Sequence, residues 1–232
     1  MEDMEKECKS SQNNSHANRL IRSFGRIKSR KFSDHKKFLL ETLLPIYEIK
    51  NYEAVLAKNI LEIGFGFGDF TFETAKKNLD SSFFGAEPHL NGVVNLLAKL
   101  EQEPLGNLKI TTQDVRPLLQ NFSAEFFDKI FILFPDPWPK AKHFKRRLIT
   151  AEFLDEVLFP KMKNGANLVI ATDHDSYKTW ILSEVLRSKK FSWSAKSKKD
   201  WQIFPKDWVE TKYQKKAVNE GRVPVIFNLI RK

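Results

Sequence analysis

The chain has 232 residues, 41% of them apolar, enough for one globular domain with a full core. Its net charge of +10 and pI of about 9.5 favour a polyanionic partner, because Lys and Arg attract phosphates and release counterions on binding. The single cysteine, Cys8, excludes an intrachain disulfide, no Cys/His cluster has zinc spacing, and no stretch reads as a secretory signal or a membrane span, so the expectation is a soluble, cytoplasmic protein without a metal.

Residues 1–18 are polar and rich in Ser and Asn, which predicts a disordered tail. The run Arg19 to Lys31 carries six basic residues and no acid, the pattern of a solvated arm that touches nucleic acid. Lys36 to Leu44 reads as a short helix ended by Pro45. Residues 19–50 are thus expected to form a basic arm and a short helix, and residues 51–232 one folded domain.

From Lys58 onward, apolar runs of strand length alternate with helical patterns. Strands are predicted at 59–63, 83–87, 108–112, 129–134 and 166–171, and helices at 69–79, 90–100, 148–159 and 176–186. Apolar segments near Phe191 and at Val225 to Ile230 suit a closing antiparallel pair. The alternation predicts an α/β fold of the Rossmann type, with a mostly parallel sheet and helices on both faces. Such sheets bind ligands beyond the C-terminal ends of their strands.

Glu62-Ile63-Gly64-Phe65-Gly66-Phe67-Gly68-Asp69 follows the first predicted strand. Glycines at 64, 66 and 68 let the backbone turn tightly and approach a ligand. A dinucleotide fingerprint would need its third glycine at position 69, where this chain has Asp. A carboxylate there repels a pyrophosphate and suits a phosphate-free, positively charged cofactor such as S-adenosylmethionine. Glu87, Asp114 and Asp136 stand at or just past the next three strands. Glu87 is placed to accept ribose hydroxyls, and Asp114 an adenine amino group. Each acid alone reads more readily as a surface carboxylate or a helix cap, and it is four of them at successive strand ends, Glu62 included, that point to a site.

Phe134-Pro135-Asp136-Pro137-Trp138-Pro139-Lys140 has three prolines in five residues, which forbids helix and central strand and predicts a stiff loop. Trp138 suits either stacking on a base or core packing. Lys140, Lys142, Lys145, Arg146 and Arg147 then follow within eight residues. Cations are poorly placed at a helix N-terminus, which favours phosphate contact. The five histidines read as structural or incidental, His89 among them.

On these residues the sequence resembles the bacterial tRNA (guanine-N7)-methyltransferases, which modify guanosine 46 in the variable loop. The proline-rich loop with His143, Lys145, Arg146 and Arg147 carries the likeness. Leu61 to Gly68, Arg22 to Arg26, Thr172-Asp173 and Thr211-Lys212-Tyr213 agree with it. The resemblance implies the S-adenosylmethionine-dependent methyltransferase fold and tRNA as partner, in a monomer or a homodimer. It implies cofactor contact by Glu62, the glycines 64, 66 and 68, Glu87, Asp114 and Asp136, with Asp136 also catalytic. It implies substrate contact by Lys140, Asp173, Thr211, Lys212, Tyr213 and Gln214, and RNA contact by Lys142, His143, Lys145, Arg146 and Arg147. Gln214 departs from the family, which usually has Glu there; an acceptor is kept and a charge is lost.

Overall fold

The computed structural model describes residues 32–54, 56–193, 195–205 and 208–232. The expectations for the tail 1–18 and the basic run 19–31 lie outside these residues. Helices α1 (Asp34–Thr42) and α2 (Leu44–Tyr47) come first. Pro45 does not simply end a helix as expected. It stands in the first turn of α2, where its missing N–H has no intrahelical partner to lose.

The core is one seven-stranded sheet in the order β3-β2-β1-β4-β5-β7-β6. Its strands are β1 (Lys58–Ile63), β2 (Ser81–Ala86), β3 (Leu108–Thr111), β4 (Phe127–Leu133), β5 (Met162–Thr172), β6 (Phe191–Trp193) and β7 (Val225–Arg231). The first five pair in parallel, and β7 runs antiparallel between β5 and β6. Helices α3 (Asp69–Lys77), α4 (Leu90–Gln102), α5 (Val115–Gln120), α6 (Asp175–Arg187) and α7 (Lys212–Asn219) connect them. The mostly parallel sheet and closing antiparallel pair agree with the sequence reading.

Both faces of the sheet are buried, as a parallel sheet requires. In β4, Ile130 and Ile132 join one apolar cluster, while Phe131 and Leu133 join the other. That is the two-residue period of a strand. Phe84, Phe122, Phe126 and Phe127 interlock in the first cluster, with ring centroids 4.8 to 5.9 Å apart. Truncating one such ring to Ala costs about 3–5 kcal/mol.

The stretch expected as a helix over 148–159 differs. Helical residues begin at Ala151, pass into a π-helical turn at Phe153–Leu158 and end in a 3-10 turn at Phe159–Lys161. The Ala151 N–H is capped from afar by the Glu184 carboxylate at 2.7 Å, and Pro160 prevents a regular continuation. No helix among the described residues is long and apolar enough to cross a membrane.

The chain order reverses between β1 and β4, which lie side by side while their connections leave in opposite directions. This is the point at which an open α/β sheet leaves a crevice beyond its strand ends.

Candidate active site

At that crevice lies a cavity of about 380 Å³, within the usual range for small-molecule sites. Gly64, Gly66, Glu87, Asp114, Asp136 and Tyr213 all stand on its wall. Four successive strand ends therefore converge on one space.

The floor is the turn after β1. Gly64, Gly66 and Gly68 adopt φ of 76°, 55° and 74°, a region L-residues rarely enter. Gly68 is the N-cap of α3 and packs against Leu96 of α4, away from the cavity wall. The turn is held from the neighbouring strand. One Glu87 oxygen accepts the Gly66 N–H at 2.8 Å, and the other accepts the His89 N–H at 2.7 Å. Each oxygen keeps acceptor capacity for a ligand hydroxyl. Burial raises the Glu87 pKa, against the pull of these two backbone donors.

Glu62 lies deeper. It stands on β1 between Leu61 and Ile63, buried, with the Thr71 hydroxyl donating to it. Burial pushes its pKa up to about 8, so near neutral pH the carboxyl is mostly protonated. It faces a small side pocket of about 20 Å³, shared with Asp69, Thr211 and Lys212. Phe67 and Tyr213 line both spaces and stand between them.

Asp114 is on the wall but is engaged within the protein. Its carboxylate caps α5 through the Arg116 N–H and grips the Arg116 guanidinium at 2.7 and 2.6 Å. Arg116 is thereby fixed on the cavity wall beside it. Asp136 projects from the proline-rich loop. Phe134 and Trp138, each preceding a proline, hold left-handed φ of 52° and 42°. The Asp136 side chain opens into the cavity, yet desolvation by the cavity walls raises its pKa, opposed by the charge of His89.

Beyond Trp138 the chain forms a 3-10 helix, Ala141–Arg146. Lys140, Lys142 and Lys145 are exposed there. The Arg146 guanidinium lies 4.9 Å from the centre of the Trp138 ring, and both line the cavity. The His143 pKa is lowered, by desolvation first and then by the surrounding cations, both of which disfavour its charged form.

Several of the expected substrate and RNA contacts, Arg147, Asp173 and Gln214 among them, are not on the cavity wall. Arg147, expected as an RNA contact, is buried. Asp173, at the end of β5, is ion-paired with Arg222 at 2.7 Å. Gln214 is buried, and its side-chain oxygen accepts the Trp208 indole N–H at 2.7 Å. Thr211 caps α7 through the Gln214 N–H, and the Lys212 ammonium sits 4.3 Å over the Phe67 ring.

The structure adds residues that sequence reasoning missed. His89, read as incidental, lines the cavity, and its charge acts on both Glu87 and Asp136. Its position two residues after a strand-end acid was the available signal. Gly92 lies in α4, where an added Cβ would sit 2.1 Å from the Gly66 carbonyl oxygen. A glycine inside an otherwise regular apolar helix was the clue.

Residues 57–226 match the family model described as "Putative methyltransferase". A tRNA (guanine-N(7)-)-methyltransferase of Hyphomonas neptunium is 38% identical over 217 residues, covering 90% of this chain and 98% of the relative. The chain belongs to the tRNA (guanine-N7)-methyltransferase family. Another member, from Caulobacter vibrioides, is 37% identical over 218 residues, covering 91% of this chain and 95% of its own. Among solved structures, the 16S rRNA methyltransferase KamB superposes with a TM-score of 0.52 at 15% identity, covering 91% of this chain and 99% of its own. At that identity the likeness shows the fold, the Rossmann-like methyltransferase fold.

Proposed function

We propose that this protein transfers a methyl group from S-adenosylmethionine to N7 of guanosine 46 in the variable loop of tRNA. The observation that carries the reading is the acidic cavity at the β1/β4 crevice, rimmed by a basic 3-10 helix. The family assignment and this juxtaposition together support the reading.

The donor set fits the cofactor. Glu87 offers acceptors for the ribose hydroxyls, and Gly92, lacking a side chain, lets the Gly66 turn lie close against α4 beside it. Glu62, Asp69, Thr211 and Lys212 line the small space beside this cavity, where Asp69 and Lys212 offer opposite charges to the amino acid end. The glycine turn has no lysine to receive a pyrophosphate. Bound, the cofactor supplies an already activated methyl group.

Guanine N7 carries a free lone pair, so no proton must leave before attack. The protein's task is alignment, which is worth several orders of magnitude in rate. Asp136 accepts hydrogen bonds from the guanine edge, and its charge stabilises the positive charge that develops on the ring. Asp173, oriented by Arg222, assists in holding the base, and the segment Thr211 to Gln214 closes over it. Lys140, Lys142, His143, Lys145 and Arg146 take the RNA backbone, with the basic arm of residues 19–31 adding charge. The protein acts in the cytoplasm, where its tRNA is.

The test is incubation of the purified protein with labelled S-adenosylmethionine and unmodified tRNA, followed by nucleoside analysis. The expected product is 7-methylguanosine, lost when guanosine 46 is replaced. Methylation at another base would overturn the substrate assignment, and no methylation despite tight tRNA binding would overturn the activity.

A further inference from the structure

Arg147 ends a run of cations but behaves unlike the rest. It is 4% exposed, whereas Lys140, Lys142 and Lys145 are open to solvent. Its Nε donates to the carbonyl oxygen of Pro137 at 2.9 Å, and Nη2 lies 3.3 Å from the Ser176 hydroxyl at the start of α6. The guanidinium carbon is 3.8 Å from the Phe144 ring centre, 4.9 Å from Trp180 and 5.2 Å from Tyr177. Among the described residues, no carboxylate is ion-paired with it. A buried cation without a counterion is costly unless hydrogen bonds and aromatic faces compensate it, and here they do.

The arrangement ties three pieces together. Pro137 immediately follows Asp136 and precedes Trp138, whose φ of 42° is unfavourable for a side chain of its size. Tyr177 and Trp180 of α6 bond in turn to the backbone of Ile149, just past Arg147, at 3.3 and 2.7 Å. The loop bearing Asp136 is thus fastened through one guanidinium to α6.

We propose that Arg147 is a positioning residue for the reaction: it fixes the Pro137 carbonyl, and with it the direction of the Asp136 carboxylate, and makes no contact with tRNA phosphate. The inference rests on the role given to Asp136 above. A planar fork is what this site needs, because one side chain must reach a backbone carbonyl and a hydroxyl while lying against rings.

The experiment compares Arg147→Met and Arg147→Lys with the unaltered protein in single-turnover methylation, tRNA binding at several salt concentrations, S-adenosylmethionine calorimetry and thermal melting. Arg147→Met keeps the packing volume and loses the hydrogen bonds. Its expected signature is a rate lowered on the order of 10- to 100-fold, the scale of a small misplacement of a reacting group. The tRNA affinity, its salt slope and the cofactor affinity stay within a few-fold of the original. Arg147→Lys, which still reaches one acceptor, recovers part of the rate.

A salt slope lowered by about one with the rate intact would mark a phosphate contact and overturn the proposal. Equal loss of rate, cofactor binding and melting temperature in both variants would show a purely structural role, as would failure of both to fold. An unaltered protein that makes no 7-methylguanosine would instead count against the proposed function.

Discussion

The Glu87 carboxylate at the end of β2 accepts the N–H of Gly66 at 2.8 Å, so the second strand holds the glycine turn that follows the first. The same side chain thus shapes the turn and faces the ligand. Glu87→Ala is expected to weaken S-adenosylmethionine binding by about tenfold or more, since a charge-assisted bond to backbone contributes roughly 1.5–3 kcal/mol. Glu87→Gln keeps one acceptor and should fall between. Calorimetry on both variants checks the order, and equal affinity in all three proteins would refute the double role.

Gly92 has a counterpart prediction. Its substitution by Ala places a methyl group 2.1 Å from the Gly66 carbonyl, which is backbone and cannot swing away. The turn must shift, at a cost of about 1–3 kcal/mol. Gly92→Ala should lower the melting temperature and lose cofactor affinity together, whereas an alanine at Gly106, where nothing lies within 4 Å, should do neither.

Glu62 predicts a pH dependence of stability. Its pKa in the folded protein is about 8, against 4.5 for the free side chain, because burial disfavours the charged form. Between those values the folded state binds the extra proton, so this group's contribution is full below about pH 4.5 and is lost as pH rises through about 8. Glu62→Gln should flatten this decline. Melting curves from pH 5 to 8.5 measure it, and parallel curves for the two proteins would rule it out.

Asp136→Ala should abolish turnover while cofactor and tRNA still bind, because the residue ends in the cavity and, among the described residues, holds no other element in place. Removal of one aligned polar group from a transition state costs on the order of 10²- to 10³-fold in rate. Near-normal single-turnover rates in a folded Asp136→Ala protein would remove Asp136 from the reaction.

Joint replacement of Lys140, Lys142 and Lys145 by Ala should act on affinity alone. Each phosphate contact contributes about one to the salt slope, so the slope should fall by about three. An unchanged slope would place the RNA on another face.

Much of this was legible in the sequence, for local reasons. Ile60, Leu61 and Ile63, or Ile130 to Leu133, are apolar runs too short for helices and bounded by turns. The strand-end acids follow from those boundaries, and glycine spacing marks the first turn. What was hidden depends on how a side chain turns or on partners far along the chain. Nothing near Asp114 says that Arg116 curls back onto it, since exposed arginines look the same. Arg147 cannot be told from Arg146 by composition, because its burial comes from Tyr177 and Trp180 on α6. Helix α7 escaped notice because Lys212-Tyr213-Gln214-Lys215-Lys216 is nearly all polar, and only Gln214 and Ala217 are buried.

The position of β7 bears on how the protein is made. Strand β5 emerges from the ribosome well before Val225–Arg231, with α6, β6 and α7 synthesised in between. Until β7 arrives, β5 keeps one open side and β6 has no neighbour. A nascent chain in this interval presents the open edge of β5 over Asn167 to Thr172, the kind of surface that recruits a second nascent chain. Yield of soluble protein should therefore depend on translation speed and chaperone supply over this last stretch, and substitutions that weaken Phe227 or Leu229, both fully enclosed, should reveal themselves first as inclusion bodies.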